Sequence, residues 1–128
     1  MSRGASCLRA AIGLFSFATA GWASAEIIDI AWGQEGRFER STAVAPGKFA
    51  EVCGPLRKGQ SIAWSFESDA AMDFNIHYHQ GKKVVFPAKQ AGVAKSGGTL
   101  VVALDQDYCW MWTNKSGAEV KLALTLKR

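Results

Sequence analysis

The chain has 128 residues, with 15 basic and 11 acidic side chains and a formal net charge of +4. This length suits one domain with a modest core and excludes a multidomain organisation. The charge excess is small, and no basic run is longer than a pair such as Lys82 and Lys83, so a nucleic-acid partner is not expected.

The first 25 residues have the features of a secretory signal peptide. Basic residues come first, the apolar stretch 10–20 follows, and small residues at 23–25 provide a cleavage site. The apolar stretch is short for a membrane span, and a buried N-terminal helix is the alternative. We predict cleavage before Glu26, a periplasmic or secreted location, and a single mature domain at 26–128. No later stretch is long and apolar enough to be a transmembrane anchor.

Short strand-like runs separated by turn residues make up the rest of the chain. The pair Gln80 and Gly81 predicts a tight hairpin, with glycine supplying the positive φ that the turn requires. The segment 89–98 contains three glycines and no clear alternation, so we predict a loop there. Strand-like runs lie at 27–32, 38–44, 48–53, 60–67, 72–79, 82–86, 99–104, 107–114 and 118–126. This succession predicts an all-β fold, an antiparallel β-sandwich of about seven or eight strands.

The cysteine content agrees with export. Cys7 lies in the predicted signal peptide, which leaves Cys53 and Cys109 in the mature chain. In an oxidising compartment these two are expected to form one disulfide between strands. It closes a loop of about 57 residues and stabilises the fold by roughly 4 kcal/mol. The alternative, a metal site with two thiolate ligands, requires reduced cysteines.

One set of positions has a pattern typical of a known module: 51–53, Leu56, Gly59, Ile62, Phe66, Ser68, 73–76, Gly81, 108–110 and Asn114. Through these residues, the segment 49–126 resembles the GOLD domain, the β-sandwich module of the p24 cargo-receptor family. The resemblance implies a disulfide between the two cysteines and binding to proteins or lipids without a shared active site. Two features depart from the family. The glycine usual before the tyrosine is replaced by 105–107, and no coiled coil or membrane helix follows Leu126, so a trafficking role is not expected.

The two histidines are candidate metal ligands. His77 and His79 are two residues apart on a predicted strand, which places both imidazoles on one face with their Cα atoms about 7 Å apart. Such a pair chelates copper or zinc, and the thioether of Met111 is a suitable additional ligand for Cu(I). The predicted hairpin places Lys82 opposite His79, which disfavours a cation there. Solvated histidines and a pH-sensitive contact surface are the alternatives.

An aromatic face is the second candidate site. Trp110 and Trp112 share one face of the strand 107–114, and Cys109 and Met111 share the other. A tryptophan-rich core is the favoured interpretation, because a domain of this size needs large side chains to fill it. If the disulfide faces the core instead, the tryptophans form an exposed platform for a protein or a glycan. The hairpin 78–83, which begins at Tyr78, is a further candidate surface.

Nothing in the sequence favours catalysis. The serines at 61, 65 and 68 have no glycine-flanked elbow, and no phosphate-binding glycine loop is present. We therefore expect no enzyme activity and assign no catalytic residues. The function predicted from the sequence is an exported periplasmic binding protein that holds copper or zinc through His77 and His79. The alternative is a metal-free module that binds a protein or a glycan through Tyr78, Trp110 and Trp112 or through the hairpin.

Overall fold

The computed structural model describes residues 25–128, so the predicted signal peptide lies outside the described residues apart from Ala25. The all-β prediction is confirmed. The seven strands are β1 (Glu26–Asp29), β2 (Arg37–Val44), β3 (Phe49–Leu56), β4 (Ser61–Gln80), β5 (Lys83–Val101), β6 (Gln106–Thr113) and β7 (Val120–Lys127). The sheet is mixed, because β1 pairs parallel to β3 while the other pairs are antiparallel. Within 25–128, no helix is long and apolar enough to cross a membrane.

The long strand β4 joins the two halves of the sandwich. Residues 63–68 of β4 pair with β7, and residues 73–77 pair with β6. Strand β5 runs along the other edge of β4 through both halves. The β4–β5 register shifts between Glu67 and Met72, where a bulge allows the ribbon to bend. One half therefore contains β2 and β7, the other contains β1, β3 and β6, and their inner faces enclose the core.

Large aromatic side chains fill the space between the two halves. Phe66 packs against Phe74 at 4.7 Å and against Trp112 at 5.4 Å between ring centroids. Trp64 lies against Phe74 at 5.0 Å. Aromatic pairs at such distances in tilted and edge-on arrangements stabilise a core beyond the area they bury. Period-two alternation along β4 and β6 delivers these residues to one side of each strand.

The predicted loop at 89–98 is wrong, because this segment is part of β5. Pairing with β4 continues from Lys83 opposite Gln80 to Val101 opposite Ser61. Glycine normally weakens a strand, but here its small size is required. A Cβ atom at Gly98 would lie 3.1 Å from Cζ2 of Trp64. The glycine lets β5 pass over the indole ring, and this requirement comes from the partner strand.

The predicted hairpin is present, with a register that differs by one residue. Gly81 and Lys82 form the turn, so Lys83 lies opposite Gln80 and Val84 lies opposite His79. Gly81 has a φ of 61°, the left-handed value that such a turn requires. The predicted placement of Lys82 opposite His79 is therefore wrong, and the neighbour of His79 is an apolar side chain.

Asn114 connects the end of β6 to both neighbouring segments. Its side chain is fully buried, and Nδ2 donates to the carbonyl oxygens of Val44 at 3.0 Å and Ala118 at 2.7 Å. Its Oδ1 accepts hydrogen bonds from the backbone N–H and the hydroxyl of Ser116. The amide therefore gives the buried Val44 carbonyl a donor and ties the turn at 116–118 to the end of β2.

Replacing Asn114 with alanine tests this role. We expect Asn114→Ala to lower the free energy of unfolding by about 3 kcal/mol, because the buried Val44 carbonyl loses a donor and the Ser116 backbone N–H loses its acceptor. Ser116→Ala is the matched control and should cost less than about 1 kcal/mol, because Ser116 is exposed. Urea unfolding followed by tryptophan fluorescence gives both values. Equal effects of the two substitutions would contradict the assigned role.

Candidate functional site

The outer face of one sandwich half carries the predicted site residues. Cys53 lies directly opposite Cys109 in the β3–β6 pair, and Cys109 lies directly opposite His77 in the β6–β4 pair. Residues opposite each other point to the same side of a sheet, so the three form one row across three strands. The cysteines form the predicted disulfide. We call the outward surface of β1, β3, β6, the second half of β4 and the adjoining part of β5 the disulfide face.

The outward direction of Cys109 decides where the aromatic residues lie. Trp110 is 0% exposed and Trp112 is 1% exposed, so the core interpretation is confirmed. The alternative platform of exposed tryptophans is wrong, because alternation along β6 turns both indoles inward. Tyr78 is buried as well, with its ring 5.0 Å from that of Tyr108. None of the three predicted interaction residues is therefore available to a partner.

His77 is held between two side chains on the disulfide face. Its Nε2 lies 3.0 Å from Oε1 of Glu51, and its Nδ1 lies 2.7 Å from Oδ1 of Asn75. Glu51 belongs to β3, so its carboxylate reaches the imidazole above β6. A neutral ring satisfies both partners when Nε2 carries the proton and the Asn75 amide turns its NH₂ group toward Nδ1.

Burial determines the charge of this imidazole. The side chains of His77 and Glu51 are only 6% and 15% exposed. Loss of solvent lowers the pKa of His77 below its usual value of 6.5; the Glu51 carboxylate opposes this shift and nearby His79 adds to it. The ring is therefore neutral at pH 7, and the neighbouring carboxylate acts as a hydrogen-bond acceptor.

The structure brings the two predicted histidine ligands together and places Met111 on the same face but opposite Asn75, and the ring of His77 is already hydrogen-bonded. The rings of His77 and His79 are 5.4 Å apart at their centroids, and Met111 lies on the same outer face. Both nitrogens of His77 already have partners, so a chelated ion would displace one. Within 25–128, the one cluster of three or more His, Cys, Asp or Glu ligands is Glu51 with the two disulfide cysteines. Copper or zinc binding by the two histidines stays a prediction.

An apolar and basic surface lies next to the hairpin turn. Val84 and Phe86 are 42% and 44% exposed on the disulfide face. The ammonium group of Lys89 is 4.9 Å from the centroid of the Phe86 ring, and Lys82 in the turn and Lys83 at the start of β5 are two further lysines nearby. We call this surface the hairpin patch; it consists of Lys82, Lys83, Val84, Phe86 and Lys89.

Sequence reasoning missed most of this patch and also missed Glu51. The alternation of side chains along a strand did indicate the patch. Residues 84–86 are all apolar, and three consecutive side chains of one strand cannot all face the core of the protein. A similar signal existed for Glu51, which shares the outward face of Cys53 because it lies two residues earlier. Its contact with His77 depends on the pairing of three strands.

The other sandwich half has a different outer face. An open depression of about 610 Å³ lies on β2, β4 and β7. Short side chains such as Ser41, Ala43 and Ala123 line it, with Glu67 and Asp69 at one side. The backbone N–H of Lys121 donates a hydrogen bond to one carboxylate oxygen of Asp69. This face offers little for recognition, so the disulfide face is the better candidate site.

No protein-family model and no curated protein matches this chain. Among solved structures it is similar to PliG of Aeromonas hydrophila, a periplasmic lysozyme inhibitor of g-type lysozyme. The TM-score is 0.65 at 9% identity over 81% of this chain and 96% of that chain. PliG of Salmonella Typhimurium gives 0.59 at 10% identity over 81% and 98%. The pre-peptidase C-terminal domain of a Bacillus anthracis collagenase gives 0.57 at 12% identity over 81% and 95%.

These comparisons correct the expected resemblance to the GOLD domain. The similar structures are lysozyme inhibitors and a pre-peptidase C-terminal domain, so the predicted family is wrong although a sandwich-like fold is shared. The motifs at 51–53 and 108–110 describe two paired strands with a cysteine on each. Paired strands joined by a disulfide occur in many β-sandwiches, so this pattern does not identify a family.

The lowered pKa of His77 predicts a pH-dependent stability. Below pH 6.5 the unfolded chain binds a proton at this residue before the folded chain does, so the folded state loses stability as pH falls. Between pH 7 and 5.5, His77 should change the free energy of unfolding by at most about 1.4 kcal/mol per pH unit. His77→Gln should remove this slope and His79→Gln should keep it, as measured by urea unfolding across the range. Identical slopes in wild type and His77→Gln would refute the assignment.

Proposed function

We propose that this protein is an exported protein-binding module that acts in the periplasm and contacts its partner through the hairpin patch. The observation that carries the proposal is the exposure of Val84 and Phe86 on a paired strand among three lysines. Both side chains lie on the same outer face as the disulfide. A partner that covers them gains apolar burial on a surface whose backbone is already ordered.

Three observations support the cellular location. Disulfides form and persist in oxidising compartments such as the periplasm, and Cys53 and Cys109 are joined. The similar PliG structures are of periplasmic proteins. The basic, apolar and small-residue zones of 1–25 supply the expected export signal.

The composition of the hairpin patch favours a protein partner. Aromatic residues anchored in place, with charges around them, are typical of energetic centres in protein interfaces. Phe86 is anchored, because Lys89 covers its ring and the His77 ring lies 6.0 Å away. Little side-chain freedom is lost when such a residue is buried by a partner.

The charges around Phe86 define the chemistry of the partner. Lys89 lies over the Phe86 ring, and Lys82 and Lys83 lie in and beside the hairpin turn, so a facing surface that is acidic around an apolar recess is complementary. Glycoside hydrolases place two carboxylates in the cleft where they cleave sugars. The narrow two-stranded end of the β4–β5 hairpin is suited to such a cleft. Since the similar PliG proteins inhibit g-type lysozyme, we propose a lysozyme-type hydrolase as the partner class.

We assign a binding role to the chain and no catalytic step. His77 is shielded from solvent and both of its ring nitrogens are engaged, so it is not placed to exchange protons with a substrate. Metal binding by His77 and His79 is the competing proposal. The short distance between the two rings favours it, while the bonds of His77 to Glu51 and Asn75 oppose it.

Binding measurements with purified lysozymes test the proposed function. We expect the exported protein to bind a g-type lysozyme and to lower its rate of peptidoglycan hydrolysis. Phe86→Ala should weaken binding by about 30-fold or more, the effect of losing an anchor worth about 2 kcal/mol. Lys82→Glu with Lys83→Glu should slow association and reduce its dependence on salt.

Val101→Ser is the matched control, because Val101 is 67% exposed on the same strand but lies at its far end. It should leave the affinity unchanged, and thermal unfolding confirms that each variant is folded. Unchanged affinity in Phe86→Ala would refute the role of the hairpin patch as the binding surface. A wild-type protein that binds no lysozyme would refute the partner class.

A further inference from the structure

We propose that Cys53 and Cys109, when reduced, bind one Zn²⁺ ion together with Glu51 and His77. This site differs from the predicted histidine pair, because it uses the two sulfur atoms and does not include His79. It also goes beyond partner binding, because it gives the disulfide face a second chemical state.

Interatomic distances support this ligand set. A carboxylate oxygen of Glu51 and the sulfur atoms of Cys53 and Cys109 all lie within 4.8 Å of one another. Nε2 of His77 lies 3.0 Å from Oε1 of Glu51. Tetrahedral zinc with bonds of 2.0 to 2.3 Å places its ligand atoms about 3.3 to 3.8 Å apart. His77 is not part of that group of three and joins it through its contact with Glu51, so its ring has to turn toward the two sulfur atoms once the sulfur–sulfur bond is open.

Three paired strands hold these ligands in position. Strand β3 supplies Glu51 and Cys53, β6 supplies Cys109, and β4 supplies His77. The backbone ladders to β6 from both sides remain when the disulfide opens, so the site is largely formed before an ion arrives. Sites built on paired strands have the rigidity that zinc coordination requires.

A further contact prepares His77 for coordination. The Asn75 side chain lies 2.7 Å from Nδ1 and directs Nε2 toward the carboxylate. Metal-bound histidines usually have such a partner on their second nitrogen, which fixes the orientation of the ring. An ion between the four side chains would replace the present bond between His77 and Glu51.

The burial of the Glu51–His77 pair also suggests a role beyond stability. Removing a carboxylate and an imidazole from water is costly, and such pairs seldom stabilise a fold more than apolar residues do. This pair lies on the outer side of a sheet, where polar side chains ordinarily remain solvated. The pair lies beside two cysteines, as two further ligands of a metal site would.

Opening the disulfide requires a dithiol donor, such as a thiol–disulfide exchange protein. One donor thiolate attacks a sulfur of the Cys53–Cys109 bond and forms a mixed disulfide, which the second donor thiolate then breaks. Two electrons pass to the protein, its sulfurs take up two protons, and the donor leaves as a disulfide. Zn²⁺ displaces the two protons when the thiolates coordinate it. The zinc-bound and disulfide states exclude each other, because they use the same sulfur atoms.

A zinc titration of the exported protein tests the site. The protein is reduced under anaerobic conditions and titrated with Zn²⁺ in competition with a chromogenic chelator, and Co²⁺ absorption reports the coordination geometry. We expect one tight site per reduced chain and at least about 100-fold weaker binding by the oxidised chain. Glu51→Gln and His77→Gln should each weaken binding by the reduced chain by about 10- to 100-fold. His79→Gln is the matched control and should bind as the wild type does.

Several results would overturn the proposal. One is a reduced chain that binds no zinc. Another is a Glu51→Gln or His77→Gln variant that binds as tightly as the wild type, since the thiols alone would then hold the ion. Tight binding by the oxidised chain that is lost in His79→Gln would indicate the histidine pair instead. If reduction unfolds the protein, circular dichroism measures whether zinc restores the fold. Zinc should refold the reduced wild type but not reduced His77→Gln. Equal recovery of both proteins would contradict the site.

Discussion

The alternation of side chains along β6 is the constraint on which the rest of the structure depends. Cys109 points outward to meet Cys53, and this direction turns Trp110 and Trp112 into the core. A slip of one residue would exchange the two sets and place the indoles in water. Ladders to β3 and β4 hold β6 on both sides, and the disulfide adds a covalent link to one of them. The core and the functional face are therefore determined by one register.

Local patterns in the sequence predicted the features that depend on few residues. Alternation indicated the strands, Gly81 indicated the hairpin, and two cysteines in an exported chain indicated the disulfide. Features that depend on distant partners could not be derived. The sequence of 89–98 resembles that of a loop, and its strand conformation depends on Trp64, whose ring lies against Gly98. The contact of Glu51 with His77 depends on β6, which pairs with the strands of both residues. The expected family was wrong because motifs of paired strands are common to many sandwiches.

Two chemistries adjoin each other on the disulfide face. The hairpin patch exposes apolar and cationic groups, and the four proposed zinc ligands, Glu51, His77 and the two disulfide-bonded cysteines, lie on the same face. The rings of Phe86 and His77 lie 6.0 Å apart, so a partner seated on Phe86 lies next to His77. Likeness to the PliG structures at about one tenth identity establishes the fold, while the proposed function rests on the exposed groups of this chain.

Hydrogen exchange of the tryptophan indoles, measured by NMR on the oxidised protein, tests the inward direction of Trp110 and Trp112 most directly. The account expects both indole N–H groups to exchange slowly, at rates that approach those of global unfolding. Trp32 provides an internal reference, because it is half-buried beneath the Arg128 guanidinium and should exchange faster. Exchange of Trp110 and Trp112 as fast as that of Trp32 would show that β6 faces the other way and would contradict the account.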